Sequence, residues 1–152
     1  MNLALYQPEI PQNAGTLMRL GACLGVAIDI IEPCGFIMND RKMKRSGMDY
    51  LDKVALTRHA SWEDFLRAMQ KRRIILLSPS AESSHLDFAF EKEDILLVGR
   101  ESTGVPDDVR AACTHSVFIP MIEGCRSINV AVAAALVVGE ALRQTHLFPE
   151  VE

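Results

Sequence analysis

Three short stretches of this 152-residue chain set polar side chains beside glycines at the ends of apolar runs, a common setting for ligand chemistry. The first is YQPEIPQNAGTLMRL, residues 6–20, in which Asn13 precedes Arg19 by six positions. Asn13 is expected to cap a helix starting near Gln12–Asn13. Arg19 is the one basic residue among the first forty and is flanked by Leu17, Met18 and Leu20. Its guanidinium therefore reads as partly enclosed and in need of an anion: a substrate phosphate or carboxylate, or an internal partner such as Glu9 or Glu101.

The second stretch, ILLVGRESTGVP at 95–106, ends an apolar run at Gly99 and brings a second glycine at Gly104. The spacing opens like a phosphate-binding loop. However, Val105 and Pro106 stand where Lys and Ser or Thr belong, and Pro106 removes an amide from any anion nest. A nucleophile elbow around Ser102 fails because Arg100 occupies the first glycine position. Two readings remain. Either a flat or apolar ligand approaches the backbone at Gly99, with Glu101, Ser102 and Thr103 as polar groups, or the loop is a plain tight turn.

The third stretch, FIPMIEGCRSIN at 118–129, leaves a strand through Pro120 and enters a long helix with Ser127 or a neighbour as its cap. Asn129 either assists that cap or faces the ligand loops. Other chemistries find little support. Ser102 with His85, His115 or Asp107 lacks the order and spacing of a catalytic triad. The four histidines are scattered, and Cys23, Cys34, Cys113 and Cys125 have no metal-binding spacing, so no metal is expected. Free thiols suit a reducing compartment, and a cytoplasmic location is the default expectation.

The elements that must position these loops follow from apolar periodicity. Strands are expected at 3–6, 27–31, 53–57, 73–77, 94–98 and 116–120. Between them stand helices from Gln12–Asn13 onward, around 39–46, at 61–70 with Ser61 and Asp64 in capping-box-like spacing, from Pro106, and at 127–144. Such alternation predicts one α/β domain spanning 1–152, with a mostly parallel sheet flanked by helices. Ligands in such sheets bind beyond the carboxyl ends of the strands, here on the loops after Tyr6, Leu77, Val98 and Ile119. The last helix is apolar nearly all round, which predicts that a second copy covers the side the sheet does not: a homodimer.

The net charge of −4 is unevenly spread, with residues 41–73 carrying +6 on an otherwise acidic chain. That segment is either a solvated face or a patch for phosphates. The longest apolar run, Val130 to Gly139, is too short to cross a bilayer, and the N-terminus lacks the pattern of a signal peptide.

Taken in register, Asn13–Arg19, Gly99–Gly104 with Glu101, and Ile119–Asn129 with Ser127 resemble the three motifs of the SPOUT class of methyltransferases. YQPEIPQNAGTLMRL, IIEPCGF, GMDY, TRH, IPM and CRSIN narrow the resemblance to TrmL-type tRNA 2′-O-methyltransferases and extend it over almost the whole chain. The resemblance implies a C-terminal trefoil knot, S-adenosylmethionine as cofactor, a homodimer, and the wobble nucleotide in a tRNA anticodon stem-loop as substrate. Matched by position, Leu77, Gly99, Ile119 and Ser127 would line the cofactor site. Arg19 would stand at the reacting ribose, with Asn13, Glu101, Ser127 and Asn129 as companions. Two positions depart from the pattern the resemblance implies: Arg100, where many relatives carry proline or another residue, and Gly139, where they carry tyrosine. Rival readings are the same chemistry at another tRNA or rRNA site, and a non-catalytic RNA- or nucleotide-binding module of the same fold.

Overall fold

Short β-rich runs buried on both faces give the computed structural model, which describes residues 1–39 and 50–150, its central sheet. The strands are β1 (Asn2–Tyr6), β2 (Ala27–Ile31), β3 (Leu56–His59), β4 (Ile74–Leu77), β5 (Ser83–Ser84), β6 (Ile95–Val98) and β7 (His115–Phe118). Their order is β3-β2-β1-β6-β4-β7-β5, and every pair is parallel. The helices are α1 (Pro11–Leu24), α2 (Trp62–Ala68), α3 (Asp107–Ala112) and α4 (Val130–Thr145).

Because successive strand residues face opposite ways, the sheet has two apolar faces. Leu3, Leu5, Ile28, Ile30, Leu96 and Val98 pack with Leu17 and Met18 of α1 and with Ala134, Val137 and Val138 of α4. Ala4, Tyr6, Ile31, Ile95 and Leu97 pack with Trp62 and Phe65 of α2 and Val109 of α3. Gly21 lets α1 settle closely on the sheet, since a Cβ there would stand 2.6 Å from the Val26 carbonyl oxygen.

Several boundaries differ from expectation. The strand expected at 53–57 lies at 56–59, after a short 3-10 turn at Leu51–Lys53, because Leu56–His59 pairs in register with Ile28–Ile31. β5 carries no apolar signal and is made by its pairing with β7. The helix expected around 39–46 lies, from residue 40 onward, outside the described residues. One topological feature matters for the site. β6, β4 and β7 are parallel neighbours, so the loops leaving them meet at one end of the sheet.

Candidate functional site

The loops that leave β4, β6 and β7 enclose a cavity of about 490 Å³, within the range of sites for cofactor-sized molecules. Leu77, Val98, Ile119 and Val130 give it apolar walls, and Asn13, Ser127 and Asn129 bring polar atoms to its edge. Of the eight residues singled out from the sequence, Leu77, Gly99, Ile119, Ser127, Asn13, Glu101 and Asn129 all line this space, and Arg19 does not.

Glu101 organises the edge. Its carboxylate accepts hydrogen bonds from the backbone amides of Glu9 at 2.9 Å and Ile10 at 3.3 Å, and from Asn13 Nδ2 at 3.2 Å. The cap of α1 is Ile10, which has no side chain to satisfy the helix start, and Pro11 follows it. Glu101 thus supplies from another loop the negative oxygen that a helix N-terminus favours. Asn13 lies inside the first turn rather than at the cap. It accepts at Oδ1 a 3.0 Å bond from Asn129 Nδ2. Asn129, not Ser127, caps α4, its Oδ1 accepting from the amides of Ala131 at 2.8 Å and Val132 at 3.4 Å. Both readings of Asn129 hold together: it caps a helix and it lines the cavity. Glu101, Asn13 and Asn129 form one chain of hydrogen bonds through all three loops.

Glu9 fastens the same loops a second time. Its carboxylate accepts from the Ser102 amide at 2.9 Å and the Ser102 hydroxyl at 2.8 Å. Those bonds hold its pKa below the ordinary glutamate value, the backbone bond to Ser102 contributing most. The sequence pointed to Glu9 only as a possible partner for Arg19. A reciprocal tie between Glu9 and residues 101–102 leaves no spacing signal, because the two segments lie in separate motifs.

At Gly99 the tight-turn reading, one of the two left open by the sequence, is the one the backbone shows. A Cβ at this position would lie 2.6 Å from the Gly104 carbonyl carbon, and Arg100 and Gly104 exchange backbone bonds of 2.9 and 3.0 Å. The glycine allows the loop to close on itself, with Gly104 at φ +68°. The loop is a tight turn whose outer surface forms cavity wall.

Arg19 corrects the sequence reading most clearly. It is exposed, and its guanidinium lies 4.7 Å from the centre of the Tyr50 ring, with Lys53 Nζ 5.9 Å from the same ring. Glu9 and Glu101 are already engaged with Ser102 and the start of α1. Six helical positions carry Arg19 about 9 Å along α1 and roughly 120° around it from Asn13, so the two side chains leave the helix in different directions.

The basic segment 41–73 is also less uniform than its charge implies. Arg41, Lys42, Lys44 and Arg45 lie outside the described residues. Arg58 pairs with Glu32 and Arg67 with Asp64. Arg73 makes a two-pronged contact with Asp94 at 2.8 and 2.9 Å, and Arg72 donates to Asn2 Oδ1 at 2.9 Å. Arg72 and Arg73 stand where the strands begin, at the end of the sheet opposite the cavity. Their charge serves the fold.

A group with a flat base and a charged arm suits the donor set of the cavity: apolar walls for the base, amide and hydroxyl groups at the edge, and a closed turn beneath. Residues 1–139 match the family model described as the SpoU rRNA Methylase family.

The chain belongs to this family.

Among relatives, this family member is 59% identical over 145 residues to a protein of Beijerinckia indica subsp. indica named tRNA (cytidine(34)-2′-O)-methyltransferase, covering 93% of this chain and 90% of that one. A solved structure from work on the 2-OH methylation of C/U34 on tRNA is 42% identical, with a TM-score of 0.88 and 94% of each chain covered. The SpoU methyltransferase AviRb from Streptomyces viridochromogenes, solved in complex with AdoMet, is 26% identical with a TM-score of 0.82, over 95% of this chain and 57% of that one.

Proposed function

We propose that this SpoU methylase transfers a methyl group from S-adenosylmethionine to the ribose 2′-oxygen of the wobble nucleotide, position 34, of a tRNA. The observation that carries the proposal is the Glu101–Asn13–Asn129 chain of hydrogen bonds, which joins all three motif loops around one cavity. The similarity over nearly the full length to a protein named for methylation at cytidine 34 supports this choice of nucleotide. In this reading residues 1–152 act as one methyltransferase domain, the last helix follows a trefoil knot, and the enzyme works in the cytoplasm.

The bound cofactor supplies a methyl group already activated by a sulfonium. Leu77, Gly99 and Ile119 give it a wall, and Ser127 offers a hydroxyl at the edge. A ribose hydroxyl is a weak nucleophile and a very weak acid, so the protein must align it and let its proton leave. Arg19 offers N–H donors and no acceptor lone pair, which suits it poorly to take a proton. It therefore positions a substrate phosphate and polarises the attacking oxygen, and the proton passes to that phosphate or to water.

Arg19 reaches a cavity through a homodimer. On α4, Val132 is 51% and Leu136 48% exposed, and Ile128 and Ile10 extend the apolar surface toward the cavity edge. α1 packs beside α4 and carries Arg19 on its exposed side. A second copy on this face buries the apolar stripe and presents its own Arg19 to the neighbouring loops.

Nucleoside mass spectrometry of tRNA from cells lacking the protein tests the substrate. A missing 2′-O-methyl group at position 34, restored by the wild type and not by Arg19→Ala, is expected. Loss at another tRNA position or in rRNA would move the substrate. No loss anywhere would favour a non-catalytic module.

A further inference from the structure

The cavity has a second polar edge that the three motifs leave unused. Ser78, in the loop after β4, and Arg110, in the last turn of α3, both line the space. Arg110 Nη1 and Nη2 each lie 3.4 Å from Ser78 Oγ, long for hydrogen bonds and weakly holding. Among the described residues Arg110 forms no ion pair, and its side chain is exposed.

The other guanidinium lining the cavity, that of Arg100, is turned toward neighbouring side chains. Arg100 donates to Gln7 Oε1 and lies 5.4 Å from the centre of the Tyr6 ring. Glu101, the carboxylate on the cavity wall, is saturated by the start of α1 and by Asn13. Arg110, by contrast, is held only by its two long contacts to Ser78, whose hydroxyl stands beside it.

From this arrangement we infer that Arg110 and Ser78 form an anion subsite that holds the α-carboxylate of the methionine arm of the cofactor. The inference rests on the cofactor reading above and adds to it a polar anchor outside the three motifs. A guanidinium presents paired donors that match a carboxylate, and the flanking hydroxyl adds another. Holding the arm at this edge leaves the Asn13–Asn129 edge open for the substrate. Arg110 acts here as a binding and positioning group and touches no reacting atom.

The test compares two ligands by calorimetry on the full-length protein: S-adenosylhomocysteine, which carries the carboxylate, and 5′-methylthioadenosine, which lacks the whole amino-acid arm. Arg110→Ala is expected to weaken S-adenosylhomocysteine about fivefold, the size of one exposed charge-assisted contact, and to leave methylthioadenosine unchanged. Arg110→Lys keeps part of the difference, and Ser78→Ala gives a smaller loss confined to the same ligand. Thermal melting checks that each variant is folded. Should Arg110→Ala be unfolded, Arg110→Gln and Ser78→Ala carry the test. Equal losses for both ligands, or no loss for either, would overturn the carboxylate subsite. A reduced salt dependence of RNA binding with an unchanged ligand ratio would overturn it too, and assign Arg110 to RNA phosphate. Failure of the wild type to bind either ligand would instead defeat the cofactor reading.

Discussion

Two hydrogen-bonded carboxylates, Asp29 and Glu101, hold distant parts of this chain together under opposite conditions. Asp29 is 1% exposed in the middle of β2. It shares a 2.7 Å hydrogen bond with His59 Nε2 and accepts another of 2.7 Å from Asn2 Nδ2. With these bonds it ties β1, β2 and β3 beneath α2, where His59 meets the Phe65 ring edge-on at 5.2 Å. Glu101 is half-buried at the other end of the sheet and ties loops rather than strands. In the dry site an unmet polar group has no water to fall back on, so Asp29 is a condition of folding. At the wet edge water can replace each bond, and what is lost first is the relative placement of the three loops. In the proposed reading, stability rests on Asp29 and the placement of the site loops on Glu101.

That contrast can be broken by substitution. Asp29→Ala should cost about 3 kcal/mol of stability, since it strands His59 and Asn2 in a buried site. Denaturant unfolding measures this, and whatever protein remains folded should keep its cofactor affinity. A loss below about 1 kcal/mol would mean that water enters beneath α2.

Glu101→Ala should reverse the pattern. Loss of a helix cap costs about 1 kcal/mol, whereas methyl transfer to tRNA should fall by at least roughly tenfold as the loops lose their common anchor. If unfolding and turnover shift in parallel, the Glu101 network is structural only.

The smallest effect belongs to the Glu9 tie, and pH reveals it. The folded-state pKa of Glu9 is lowered by its bonds to Ser102. Its contribution is therefore present above the ordinary glutamate pKa and disappears as pH falls through the lowered folded value. Cofactor affinity should hold steady from neutral pH down through the ordinary glutamate range and weaken below it. Glu9→Gln should reduce the part of this change that Glu9 supplies. An identical acid profile in Glu9→Gln would place the titrating group elsewhere.

Much of the architecture was legible because apolar periodicity reports burial directly. AIDII at 27–31 became β2 without adjustment, and Ser61 caps α2 by accepting from the Asp64 amide at 3.1 Å, as the spacing suggested. β5 was invisible because two serines announce no burial. Helix starts were misplaced by two or three residues in both site helices. At α1 the capping oxygen comes from Glu101, 91 residues away from Ile10. At α4 Ser127 and Asn129 are equally good caps by residue type, and only the path of the loop selects the asparagine.

Residue type and order fixed which groups exist near the strand ends: an amide at 13, a carboxylate at 101, another amide at 129, and glycines where a turn must close. Those facts are local, because hydrophobic pattern and turn chemistry act over a few residues. Which of these groups bond to one another was decided by the folded chain alone. So were the position of Arg19 outside the cavity lining and the loose hold on Arg110 at its other polar edge. Each depends on helix phase and strand order, which sum contributions from the whole sheet.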